Sequence, residues 1–222
     1  MAFKAICGRI MLPLLAAVLL QLGGCATASL NLSKEELNNI RVQRVDVVYA
    51  PDAQVMWEKA ELEYIAVVDA RDSKTSKPKP WKQVMPEDIE AQKNRYQDLV
   101  NSPEGKNFIR GKLTGEIQAR LQQSLSGRFQ GTRPVVVEVT VHGFVIPSAA
   151  QRVVLGGSPM LGAVTVVKDA QSGAVLAKLD RMAAAPAGNG VLGVLVDQAL
   201  PDLEDRLFGS YQTQVLEWLQ AA

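Results

Sequence analysis

The chain has 222 residues, with 24 Lys+Arg against 23 Asp+Glu, so it is close to neutral at pH 7. A balance of this kind does not build a surface that coats nucleic acid, and no nucleic-acid partner is expected. Only 5% of the residues are aromatic and two are cysteine, so the core must rest on Val, Leu, Ile and Ala.

Lys4 and Arg9 open the chain with positive charge, and Ile10 to Leu22 follow as an apolar stretch broken only by Pro13 and Gln21. Gly23 and Gly24 then lead into Cys25. Charge, apolar core and small residues in this order make an export signal, too short for a stable membrane span. The tetrad Leu22-Gly23-Gly24-Cys25 resembles the lipobox of bacterial lipoproteins, in which one bulky aliphatic and two small residues precede an obligatory cysteine. The resemblance implies that Leu22, Gly23 and Gly24 are read by the signal peptidase, that residues 1–24 are removed, and that Cys25 is acylated on its sulfur and its new amine. At roughly 0.8 kcal/mol per buried methylene, three acyl chains hold a protein at a bilayer essentially permanently. Ala26, where an Asp commonly retains lipoproteins in the inner membrane, points to the periplasmic face of the outer membrane. Cys7 would leave with the signal, and no thiol would remain for a disulfide, a zinc–cysteine site or a cysteine nucleophile. The alternatives are an uncleaved anchor, or a secreted protein in which Cys25 is incidental.

Thr27 to Leu32 reads as a short tether, and Ser33 with Glu36 has capping-box spacing ahead of a helical turn or two. Arg41 to Ala50 reads as a strand, with Val45 and Val47 on one face, Arg44, Asp46 and Val48 on the other, and Val42 out of phase; Pro51-Asp52 closes it. Residues 53–85 read as an irregular insertion, in which Ile65-Ala66-Val67-Val68 suits a short strand and Asp69 to Lys82 an exposed loop carrying Trp81. Pro86 fits the first turn of a helix whose apolar positions include Tyr96, Leu99 and Val100. The strongest helix carries Phe108, Ile109, Leu113, Ile117, Leu121, Leu125 and Phe129, largely at i, i+4. That stripe drifts by about 40° per step and suits a helix lying across a twisted sheet.

Pro134 opens the clearest strand, with Val135, Val137, Val139, Val141 and Val145 on one face and Glu138, Thr140 and His142 on the other. A connection over 148–159 contains Gly156-Gly157. Gly162 to Lys168 and Ala174 to Leu179 then bracket Asp169-Ala170-Gln171-Ser172-Gly173 as a hairpin. Small residues from Ala183 to Gly190 lead to a final helical stretch, in which Pro201 is a kink or a restart.

The whole reads as β-α-β-β-β-α: an α/β (α+β) sandwich with a mixed, largely antiparallel sheet of four to five strands and helices on one face. The division expected is a signal over 1–24, a lipidated tether and short helix over 25–40, and one domain over 41–222. Arg133-Pro134-Val135-Val136-Val137-Glu138-Val139, the 169–176 hairpin and the Gly-rich lead into the last helix resemble a group of bacterial lipoproteins. These are similar in outline to the amino-terminal domain of the Tol–Pal translocation protein, to curli-secretion lipoproteins and to auxiliary lipoproteins of envelope transporters. That resemblance implies the sandwich fold and a binding role, and it carries no catalytic residues across.

Gly188-Asn189-Gly190-Val191-Leu192-Gly193 fits G-x-G-x-x-G ahead of a helix, but no strand follows to supply the acid that grips a ribose. His142 is the single histidine, and without cysteine it cannot assemble an ordinary zinc site. No serine stands in a nucleophile-elbow context, and Asp202, Glu204 and Asp205 suit a helix amino end. No catalytic residue, cofactor or metal is therefore expected. The expectation is a non-enzymatic lipoprotein, held at the membrane by Cys25, that binds an envelope protein or lipid as an assembly factor or auxiliary subunit of a transport or secretion system. Its expected binding surfaces are Trp81, the loop at Gly156 and Gly157, and a free sheet edge open to β-augmentation. Small-ligand binding or hydrolysis at the Gly-rich loops, and self-association, are the alternatives.

Overall fold

Alternating valines from Val135 to Val141 put an apolar row on one side of the backbone, and the sheet is built around them. The computed structural model describes residues 28–75, 86–188, 190–197 and 202–220. The strands are β1 (Ala28–Leu30), β2 (Ile40–Trp57), β3 (Arg133–Ile146), β4 (Met160–Asp169) and β5 (Val175–Ala184). The helices are α1 (Lys34–Asn38), α2 (Glu58–Thr75), α3 (Pro86–Asn101), α4 (Pro103–Ser126), α5 (Ala149–Val154), α6 (Gly190–Asp197) and α7 (Leu203–Gln220). One mixed sheet runs in the order β1-β5-β4-β3-β2; β2 pairs parallel with β3, and the other pairings are antiparallel. This is the expected sandwich.

The i, i+4 ladder of α4 lies on the sheet, with Ile109, Leu113, Ile117, Leu121 and Leu125 all buried. Burying a side chain of this size contributes roughly 2 kcal/mol. Ser102 caps the helix by accepting from the Gly105 N–H at 3.0 Å. Beside α4 lies α7, whose Leu207, Phe208, Tyr211, Val215 and Leu219 are buried over β4 and β5. Opposite these helices, Val48, His142, Lys178, Asp180 and Met182 are exposed. On that face Glu138 pairs with Lys168 and Arg44 with Asp46.

Several elements differ from the expectation, each for a physical reason. The supposed tether contains β1, which pairs Ala28, Ser29 and Leu30 with Leu179, Lys178 and Ala177. The out-of-phase Val42 reflects a register shift between Val42 and Arg44, which lets Val42 and Val45 both face the core. Pro51 does not close β2. As an edge strand β2 can carry a proline, and it resumes pairing at Gln54 after a second shift. A shift between Val141 and Gly143 likewise turns Phe144, not Val145, into the core. The apolar run at Ile65–Val68 is helical: Ala60, Tyr64, Ile65 and Val68 are buried on one side of α2, and Val67 is exposed. The 148–159 connection contains α5, opened by a capping box of Ser148 and Gln151. The capping box at Ser33 and Glu36, the α3 helix and the 169–173 hairpin form as read. Residues 1–27, including the signal and Cys25, and residues 76–85, including Trp81, lie outside the described residues.

Two polar devices hold this arrangement. Thr165 and Tyr211 share a hydrogen bond of 2.6 Å between fully buried hydroxyls, and burial pushes the Tyr211 phenol well above its ordinary pKa. Tyr211→Phe is expected to strand the Thr165 hydroxyl and cost about 1–3 kcal/mol in urea denaturation, with much of that recovered by adding Thr165→Val.

In the β4–β5 turn, the Asp169 carboxylate accepts from the Ser172 N–H at 2.9 Å and from Arg133 Nε at 2.9 Å. These bonds, the Ser172 backbone first, hold its pKa well below the usual carboxylate range. A folded pKa below the unfolded one gives stability that is present above the unfolded value and lost as pH falls toward the folded value. Asp169→Asn should therefore flatten the acid limb of the stability curve below about pH 4, read by denaturation across a pH series.

Candidate functional site

Among the described residues, two places have the shape or the chemistry of a site. The first is a cleft of about 1070 Å³ beside β2, at the second register shift of that strand. Its walls come from 51–56 of β2 and from α2, α3 and α4, and its polar groups include Gln54, Glu61, Gln92, Lys93, Tyr96, Lys106 and Arg110. Arg110 is positioned three times over. Its guanidinium donates to the Ala53 carbonyl at 3.1 Å, it stacks 5.0 Å above the Tyr49 ring, and its own carbonyl accepts from the Tyr49 hydroxyl at 2.7 Å. Burial raises the Tyr49 pKa, which keeps that hydroxyl a donor. Across the cleft, Gln92 Nε2 donates to Tyr96 Oη at 2.7 Å, and Tyr96 Oη donates to Asp69 at 3.4 Å. The cleft thus combines an apolar floor at Ile65, Val100 and Ile109 with a mixed polar rim, a combination that suits recognition of an amphipathic segment or ligand.

The second place is the end of the sheet where α5 meets α6. Asp197, almost wholly buried, lies between two guanidiniums. Its Oδ2 accepts from Arg152 Nη1 and from the Gly188 N–H at 2.7 Å, and its Oδ1 accepts from Arg206 Nη2 at 2.7 Å. Arg152 also donates to the Gly188 carbonyl at 3.2 Å, and Arg206 to the Pro186 carbonyl at 2.6 Å. Burial alone would raise the Asp197 pKa, but the Arg206, Gly188 and Arg152 donors outweigh it and hold the carboxyl below its ordinary value. A buried carboxylate is tolerable only with such compensation.

The G-x-G-x-x-G stretch sits in this knot. A Cβ on Gly188 would stand 1.9 Å from the Gly193 carbonyl oxygen. The two glycines therefore allow the loop to close backbone to backbone, and the Gly188 N–H that would face a pyrophosphate is taken by Asp197. Gly156 and Gly157, with φ of 72° and 124°, turn the chain between α5 and β4 just after the exposed Val154 and Leu155. His142 is exposed on the open sheet face, where Glu138 bonds to Lys168 at 2.8 Å. Gly156, Gly157, Gly188 and His142 are not among the residues that line the cleft. The free edge of β2 is only partly free, because Gln118 Nε2 donates to the Val45 carbonyl at 3.0 Å and Arg110 takes that of Ala53.

Sequence reasoning did not find the Arg152–Asp197–Arg206 cluster. One signal was present: Asp197 is the single charged residue between Gly190 and Leu200, and such a residue in an apolar stretch requires a partner.

No family model matches the chain, and no curated protein matches it. Among solved structures it is similar to two crystals of the PelC dodecamer from Paraburkholderia phytofirmans, one of a point variant in space group C2 and one in space group P6. Each gives a TM-score of 0.41 at 10% identity, over 89% of this chain and 99% of that one.

Gly188→Ala is expected to destabilise the domain by about 1–3 kcal/mol through this clash. Asp197→Asn, which leaves the buried Arg152 and the partly buried Arg206 without their anion, is expected to cost about 3 kcal/mol. Thermal denaturation of both variants checks the pair, and the cluster is not structural if both melt with the parent.

Proposed function

We propose that the chain is a lipid-anchored, periplasm-facing lipoprotein of the cell envelope, in the outer membrane, which acts without catalysis as an assembly factor or auxiliary binding subunit of a transport or secretion system. The observation that carries this reading is the position of Leu22-Gly23-Gly24-Cys25 against the fold. The lipobox-like tetrad ends three residues before β1, the first element of the sheet. An anchor so close holds the domain at the bilayer surface, where its binding surfaces meet other envelope components without a diffusive search.

The cleft beside β2 is the partner surface this reading favours. Its Lys93 and Lys106 lie on two different helices and its floor is apolar, so a partner segment can bury side chains there while its acids meet the rim. The acylated Cys25 supplies location, and the cleft supplies selectivity.

Inhibiting the lipoprotein signal peptidase is expected to leave the larger precursor, and Cys25→Ser to release the protein from the membrane fraction. An unchanged mass under inhibition rejects the lipoprotein reading. Amine cross-linking in intact cells should join Lys93 or Lys106 to a defined envelope protein, read by mass spectrometry of the linked peptides. Links only between copies of this chain would instead favour self-association.

A further inference from the structure

Among the described residues, exposed large apolar side chains stand on β2 (Val48, Met56), on α2 (Leu62, Val67) and at Val175 beside the β4–β5 turn, but the largest group gathers elsewhere. Val154 and Leu155 follow one another in the β3–β4 connection, Met160 opens β4, Met182 lies near the end of β5, and Val191 and Leu195 project from α6. All six belong to the end of the sheet where β3 and β5 stop and β4 starts, since Met160 pairs with both Val145 and Ala184. Val154 and Leu155 are 78% and 82% exposed, which is costly for adjacent aliphatic residues unless something apolar covers them. The opposite end carries the Asp169–Gly173 turn and the charged set of Arg133, Asp169 and Glu36.

The direction of β1 says what covers the apolar end. Antiparallel to β5, it sets Leu30, Ser29 and Ala28 against Ala177, Lys178 and Leu179, so followed backwards the chain heads along β5 toward Met182 and Ala184. Cys25 is three residues before Ala28, a reach of at most about 10 Å. The residue that takes the acyl chains under the proposed function is thus held within that distance of Ala28, whose strand enters the sheet from the direction of Met182 and Ala184.

We infer that the α5–α6 end of the domain, with Val154 and Leu155 at its tip and Val191 and Leu195 beside them, is a membrane-contact face that lies in the bilayer holding Cys25. The inference rests on the lipoprotein reading and adds an orientation to it. The Arg152–Asp197 pair links α5 to α6 from within and turns their apolar side chains outward as one surface. Gly156 and Gly157 shape the turn that carries Leu155. A shallow insertion of this kind adds an apolar contact to the covalent anchor and limits how far the domain can tilt. The cleft, lined from β2, α2, α3 and α4, lies at the opposite lateral edge of the sheet from β1.

The test uses the full chain, processed and purified with Cys25 acylated, in which an introduced cysteine is then the only free thiol. Leu155→Cys and, as a second report from the same face, Val191→Cys are labelled with a bimane, and Gln171→Cys in the opposite turn is the reference. Each protein is placed in phosphatidylethanolamine–phosphatidylglycerol vesicles with or without a nitroxide-bearing lipid. Labels at 155 and 191 are expected to be quenched roughly threefold more than the label at 171, as suits side chains at the headgroup boundary. Equal quenching at the three positions, or stronger quenching at 171, overturns the orientation while leaving the anchor intact. Intact mass separates the other failure: an unacylated Cys25 overturns the lipoprotein reading, and this inference with it.

Discussion

The parallel pairing of β2 with β3 is the constraint on which the rest of the structure depends. Antiparallel neighbours can be joined by a tight turn, as β4 and β5 are, but parallel neighbours need a crossover that carries the chain back along the sheet. Here the return is made by α4, whose stripe of Ile and Leu fills the face over β2 and β3. Once α4 lies there, the space beside it over β4 and β5 is left for α7, and the helical layer is complete. The other crossover helices, α2 and α3, have no sheet left to cover and pack against α4 at the edge. Their ion pairs, Arg95 with Asp69 and Asp72 at 3.1 Å and Arg71 with Glu104 at 3.1 Å, are exposed and contribute little each. The cleft is the gap left where this outer pair meets β2.

Charge is sorted with equal economy. The described ion pairs lie mostly at the surface, with one exception at the α5–α6 junction, where an aspartate and two arginines are withdrawn from water. An all-apolar junction would be simpler to stabilise. The buried set ties three separate segments, α5 through Arg152, the loop at Gly188 and α7 through Arg206, to one carboxylate of α6 and so fixes the directions in which α5 and α6 point. Nearby, Trp57, Phe144 and Phe208 pack edge and face, with Trp57 centroids 5.4 Å and 6.5 Å from the two phenylalanines. Trp57 Nε1 donates to Glu204 at 2.8 Å, so this aromatic group joins β2 to the start of α7. This end of the domain is braced far beyond what a loop cluster needs.

What could be read from the residues was whatever a local period expresses. The ladder of α4, the alternation of β3 and the turn chemistry at Asp169–Gly173 each declare themselves within a dozen positions. What could not be read depended on partners distant in the chain. Nothing local marks Ala28–Leu30 as a strand, because its partner Ala177–Leu179 lies on the far side of the domain in sequence. Register shifts at Val42, at Tyr49 and at Val141 defeat strict alternation, and so Phe144 and Val145 exchange faces. In α2 the contiguous Ile65–Val68 hides its helical period, since Val67 is apolar yet faces solvent. The turn at Gly156–Gly157 was legible from its glycines, whereas the cleft, assembled from four elements, had no sequence signature.

The treatment of β2 has a further consequence. An 18-residue strand at the border of a sheet is a standing template for another chain to add to. Here Gln118 and Arg110 reach down from α4 to occupy two of its carbonyls, the Arg41–Gln130 bridge covers its start, and Pro51 removes a donor midway. These blocks lie in the folded domain itself and need no second protein to install them. The folded domain can therefore stay a single molecule in water, without fibril growth along that border.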